Sequence, residues 1–264
     1  MAQRLSPREA VRLPLLTLLD TYDNSHLFIA LFMAGLLLGW LAVTQLSLPL
    51  WGAMLLTLGL LLYPAIGKWH TDAQRWGRSI MVLSILLATQ GVHTLEHLAQ
   101  WVQYHLLHWP LKASSGLISP LNAEVVHFLW NWVVLLTVAY LLWPGHRNRW
   151  MWLLLVWATA HTAEHTYLFV NYLAEVDRLA RRGLPTSAAQ GLPGILGKGG
   201  WLATHAVTSA PLAFICALAP AVRDAPRLDI HFWWNVGETG LLLATNLAMR
   251  WRLESAALGA NLRQ

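Results

Sequence analysis

The chain has 264 residues, of which 56% are hydrophobic and only 12% charged, with 18 Lys and Arg against 13 Asp and Glu for a formal net charge of +5. A soluble domain carries about 25% charged residues, so half of that charge is missing and the ordinary soluble globular class is excluded. The pI of 9.7 comes from Lys and Arg gathered in short stretches around residues 68–78, 144–149, 178–182 and 223–229, where they meet anionic headgroups at membrane surfaces; nucleic acid is excluded as a partner.

In chain order, residues 1–23 read as an N-terminal interfacial leader. They mix basic residues with Pro7, Glu9 and Pro14 and lack a signal-peptide core. Seven transmembrane helices are predicted, at 24–43, 48–66, 78–106, 121–143, 150–175, 201–220 and 229–250, within one helical domain over 24–252. About 20 apolar residues suffice to cross roughly 30 Å of hydrocarbon. Pro49, Pro64, Pro110, Pro120, Pro144, Pro220 and Pro226 fall at the boundaries, as helix breakers should. Residues 179–200 form the longest extramembrane loop, and 253–264 a C-terminal tail. The single cysteine, Cys216, excludes an internal disulfide and any multi-Cys metal site. Seven spans put the termini on opposite faces, and a slight excess of Lys and Arg on the N-terminal side favours a cytoplasmic N-terminus in a bacterial or archaeal inner membrane.

Two short patterns each occur twice. Residues 88–97 (ATQGVHTLEH) and 158–165 (ATAHTAEH) share His-Thr-x-Glu-His, while 127–131 (HFLWN) and 231–235 (HFWWN) share a second motif. The order A, B, A, B, with one extra span before the last, points to duplication of a helical hairpin. Repeats in membrane proteins commonly place a functional site at their interface. Seven spans, however, put His127 and His231 on opposite sides of the bilayer, unless a span is miscounted or the sixth is re-entrant. One central site reached mainly from the third, fourth and fifth spans is therefore expected, with two sites the alternative.

The chemistry sits in the same segments. Glu96, Glu124, Glu164 and Glu238 fall inside spans, each with a histidine on its own helix, and no Lys or Arg lies deep beside them. An ionised carboxylate in hydrocarbon costs several kcal/mol, about 2.5–3.5 on the gentlest scales, and must be paired. Protons or bound cations are therefore expected to neutralise these four. His93, Glu96 and His97 stand at i, i+3 and i+4 and share one helix face, as do His161, Glu164 and His165. Glu124, His127 and Asn131, and His231, Asn235 and Glu238, add two further seams. Four such seams make an all-α, His- and Glu-rich four-helix core. Gln90, Tyr104 and Tyr172 extend the polar stripes and, with Asn131 and Asn235, are expected to support the ligands. His205, in the sixth span, joins the metal candidates, although a lone histidine in a membrane is more often a hydrogen-bonded packing residue.

In ligand chemistry this core resembles the Glu-x-x-His bundles that hold paired iron or manganese, with Glu124 and His127 the literal copy of that spacing. The His-x-x-Glu-His string also resembles the metal motif of one class of soluble zinc proteases. Membrane-bound fatty-acid hydroxylases and desaturases use many histidines for two irons, but the His-His doublets of their boxes do not occur here. Imidazole and carboxylate without thiolate suit iron first, then zinc, copper or manganese. The expected function is a membrane-embedded metal-dependent oxidoreductase of di-iron or similar di-metal type, a hydroxylase, monooxygenase or desaturase acting on a lipophilic or small apolar substrate. A haem- or pigment-binding electron-transfer subunit is the alternative, and a metal or proton transporter a further one. The catalytic residue is unassigned. Expected partners are the lipid bilayer, an electron-donor protein or quinol, and membrane subunits of a larger complex.

Overall fold

The structure, a computed structural model, describes residues 25–143 and 148–261, so the expected leader at 1–23 lies outside the described residues. Every described element is a helix. The α-helices are α1 (Ser25–Leu46), α2 (Leu50–Trp76), α3 (Arg78–His105), α4 (Glu124–Leu142), α5 (Arg149–Arg181), α6 (Trp201–His205), α7 (Ala210–Leu218), α8 (Pro220–Asp224) and α9 (Arg227–Asn261), and short 3-10 helices lie at Ser119–Asn122 and Thr186–Ala189. Four of them, α1 to α4, are long and apolar enough to cross a membrane. The tail expected from residue 253 is helical through Asn261, as the end of α9. The chain divides into two compact units, one ending at Ala88 and resuming at Leu243, the other Thr89–Leu242, where a single domain was expected.

In the first unit α1 packs on α2 through small residues. A side chain at Gly35 would press on the Thr57 backbone and one at Gly39 on the Ala53 Cβ. Close backbone approach of this kind is how helices associate in lipid, where apolar burial alone gives no driving force. Helix α2 continues through Pro64 to Trp76, about ten residues beyond the expected span end. A neighbouring helix makes a membrane proline tolerable. The added turns carry Asp72, which is fully buried and paired with Lys68 (2.6 Å) and with Arg250 of α9 (3.1 Å).

In the second unit the later part of α3, α4, α5 and the first turns of α9 surround a polar core. Asn148 caps α5 by accepting the Met151 N–H (2.9 Å), satisfying one of the helix's orphan donors. The sixth expected span is corrected. Residues 201–224 break into α6, α7 and α8, and the longest, α7, has nine residues, roughly 14 Å and less than half the hydrocarbon thickness. Its two flanks are tied together, with Gly197 N donating to Val222 O (2.7 Å) and Lys198 N to Ala225 O (2.8 Å). The segment leaves and returns at one place. Without that crossing His127 and His231 share a level, with ring centroids 5.9 Å apart, and the inference that the termini lie on opposite faces falls away.

Candidate metal centre

The helical spacings read from the sequence deliver six imidazoles to one place. His93 and His97 come from α3, His127 from α4, His161 and His165 from α5 and His231 from α9, all buried. Ring centroids are 4.7 Å apart for His93 and His97, 5.1 Å for His93 and His127, 5.1 Å for His127 and His165, and 4.8 Å for His165 and His231.

Hydrogen bonds set the tautomers. A backbone carbonyl can only accept, so His127 Nδ1 donates to Ala123 O (3.3 Å) and His231 Nδ1 to Arg227 O (2.8 Å). His161 Nδ1 donates to the Glu238 carboxylate (3.1 Å). For His97 the assignment runs through a chain that starts at the Ser115 carbonyl. Asn122 Nδ2 donates to that oxygen (2.6 Å), so its Oδ1 accepts from Gln100 Nε2 (2.5 Å), and Gln100 Oε1 is left to accept from His97 Nδ1 (3.1 Å). Four imidazoles thus hold their proton on Nδ1 and turn a bare Nε2 inward. Metal-binding histidines are oriented in this manner, one nitrogen held by an acceptor and the other free to ligate.

The bare nitrogens are crowded. His97 Nε2 lies 3.3 Å from His127 Nε2 and 3.3 Å from His93 Nε2. A proton on His93 Nε2 satisfies the second contact, but the first sets two lone pairs against each other. Two ligands at about 2.0–2.1 Å from one tetrahedral ion are themselves about 3.3 Å apart. His93, His97 and His127 each offer a ligand atom with all three within 4.8 Å of one another.

The carboxylates have other partners, and the premise that only protons or a bound cation could neutralise them is corrected. Glu96 accepts the backbone N–H groups of Leu117 (2.9 Å) and Ile118 (2.9 Å). Glu164 accepts those of Ile195 (3.0 Å) and Leu196 (3.2 Å). Each carboxylate therefore holds a loop, where ligation or support of an imidazole was expected. Glu124 is paired with Arg227 (2.6 Å), a basic residue that the sequence places at a span edge but that reaches inward from the first turn of α9. Its second guanidinium nitrogen donates to Leu192 O (2.9 Å), tying the 182–200 connection to the same cluster. Glu238 alone keeps to the imidazoles, with Oε2 accepting from His161 and from Gln90 Nε2 (3.0 Å).

Of the expected supporting residues, Gln90 is fully buried, donates also to Asn235 Oδ1 (2.9 Å) and accepts from Trp130 Nε1 (2.5 Å). Asn131 and Asn235 are buried and donate to the carbonyls of His127 (2.9 Å) and His231 (2.8 Å) one turn earlier. Tyr104 packs on His105 and Tyr172 on Phe169, and neither ring touches the six histidines. His205 is exposed, with Nδ1 on Trp201 O (2.8 Å) and its ring stacked on Trp201. A lone imidazole on the five-residue α6 satisfies itself locally, and the expectation that it ligates fails.

Sequence reading missed several contributors. Thr94 donates to the Asn235 carbonyl (3.3 Å), and Thr162, the matching residue of the other copy, donates to the Asn131 carbonyl (3.1 Å). Both threonines stand inside the repeated His-Thr-x-Glu-His strings, which was the available signal. The turns 116–118 and 194–196 carried a fainter one, since each is glycine followed by two aliphatics. A Cβ on Gly116 would strike Glu96 Oε1, and one on Gly194 would strike Glu164 Oε1. Comparison with protein-family models, with curated proteins and with solved structures finds no match for this chain.

Proposed function

We propose that this chain is a membrane-embedded metal-dependent oxidoreductase, with a metal held by His93, His97 and His127. The observation that carries the reading is the 3.3 Å contact between the His97 and His127 Nε2 atoms, each stripped of its proton by a fixed acceptor on the other side of the ring. Buried lone pairs facing one another are unfavourable unless a cation lies between them. Nitrogen donors suit iron, copper and zinc, and a redox metal, iron first and copper second, fits a site walled by Trp and aliphatic side chains. Water exclusion there protects reactive species.

An apolar groove beside His161 supports a lipophilic substrate. Val156, Trp157, Ala160, Trp234, Gly237 and Leu241 line it. Val156 is exposed on the outer surface, Trp234 stacks on His161 at 5.3 Å, and a side chain at Gly237 would fill the space taken by the Trp157 ring. A hydrocarbon chain can enter laterally from the bilayer. Helices α5 (33 residues) and α9 (35 residues) are, like α1 to α4, long enough to cross it, their apolar runs broken by the seam residues themselves. Electrons come from a partner protein or quinol. The recurrence of the Glu-held loop, the threonine crosslink and the His-to-Asn spacing in both halves supports an origin by hairpin duplication.

Direct ring-to-ring contact argues against the haem alternative, because a macrocycle would have to part imidazoles now 4.7–5.9 Å apart. The test is elemental analysis and electron paramagnetic resonance of detergent-purified protein, wild type against His97→Ala and His127→Ala. Iron or copper in the wild type and its loss in both variants is expected. A Soret band, or a wild type that carries no metal and takes up none from added iron(II), copper(II) or zinc(II), overturns the reading.

A further inference from the structure

We propose that His161, His165 and His231 form a second metal seat beside the first. The inference rests on reading His93, His97 and His127 as a metal centre, and extends it to a pair. Each seat then draws a His-x-x-x-His pair from one helix, His93 with His97 or His161 with His165, and one histidine from another, four residues before a buried asparagine. His127 with Asn131 and His231 with Asn235 fill that role.

The contacts point to a ligand. His161, His165 and His231 are each at most 4% exposed. The Nε2 atoms of all three have no hydrogen-bond partner, and neither does His165 Nδ1. His161 and His231 have placed their protons on Nδ1, toward Glu238 and the Arg227 carbonyl, so what each leaves inside is a lone pair. His165 lies between them, with ring centroids 4.9 Å from His161 and 4.8 Å from His231. The unpartnered Oε1 of Glu238 lies on the same cluster and supplies negative charge. Packing gives no reason for this, since an unsatisfied buried polar atom costs about 1–3 kcal/mol and an aliphatic side chain of similar shape costs nothing. Among the described residues only the first seat gathers three ligand atoms within 4.8 Å of one another, so a cation that takes up these three lone pairs draws the rings inward and removes that cost. The seats are adjacent, because His165 stacks on His127 at 5.1 Å with the planes 10° apart, which suits two metals acting on one substrate.

The test is a cobalt(II) titration of metal-stripped, detergent-solubilised full-length protein, with bound metal counted by mass spectrometry and folding followed by thermal melting. The wild type should bind about two equivalents, and His165→Ala and the milder His231→Gln about one, as should His97→Ala through loss of the other seat. A wild type that binds about one equivalent, kept by His165→Ala and His231→Gln and lost in His97→Ala, overturns the second seat and leaves the first standing. A wild type that binds none removes both.

Discussion

Changing Glu96 to Gln separates two roles that a carboxylate in a metal-rich membrane core can play. In the structure its oxygens accept the Leu117 and Ile118 N–H groups at 2.9 Å and make no contact with an imidazole among those described. Glutamine keeps the shape but offers one acceptor oxygen, and its NH2 group faces a backbone N–H. One buried donor is left unmet and the charge assistance of the other bond is lost, a cost of about 1–3 kcal/mol. For a helical body of this size that corresponds to a fall in melting temperature of roughly 2–12 °C. Metal content should not change, because the ring nitrogens that would bind it are untouched. The assay is paired: thermal melting in detergent, and metal equivalents per chain on the same preparation. A Glu96→Gln protein that melts like the wild type but has lost metal would refute the loop-holding role and restore Glu96 as a ligand.

Other outcomes follow from the same geometry. Gly194→Ala drives a Cβ against Glu164 Oε1, so it should destabilise by about 1–3 kcal/mol and speed proteolysis within 182–200, and unchanged digestion counts against the contact. Arg227→Ala leaves the nearly buried Glu124 without its partner and should cost about 3–5 kcal/mol, with Glu124→Gln in the same chain recovering part of the loss; no recovery in melting temperature would show that the pair is not the cause. Asp72→Ala removes a fully buried carboxylate paired with Lys68 and Arg250 and should cost a similar amount, about 3–5 kcal/mol, while metal equivalents stay at the wild-type number. Chelation of the wild type should lower stability by about 2.7 kcal/mol for metal previously held at a hundredfold excess over its Kd, and His97→Ala should show a smaller chelator effect in the same melting experiment.

Much of the site was legible in the sequence because a helix converts spacing into direction. His93 with His97 and His161 with His165 stand at i, i+4, and the repeated His-to-Asn step is again four, so their faces followed from helical geometry alone. Burial followed too, since those faces lie in runs too apolar to face water elsewhere. The roles of the carboxylates were not legible. Glu96 and Glu164 share their faces with the histidines, yet their partners are backbone N–H groups some 21 to 32 residues further along, in turns whose path no local periodicity records.

The sixth span failed for a related reason. Residues 201–220 are apolar enough to cross, but the closure of Gly197 and Lys198 onto Val222 and Ala225 depends on which carbonyls come within reach after folding. Composition and periodicity by themselves determined a helical membrane protein with histidines gathered on a few faces, because hydropathy and helical phase are local properties of the chain. Tertiary structure decided which nitrogens were left bare and which acids were already satisfied. A hydrogen bond is a matter of a few tenths of an ångström between distant residues, and no local pattern encodes it.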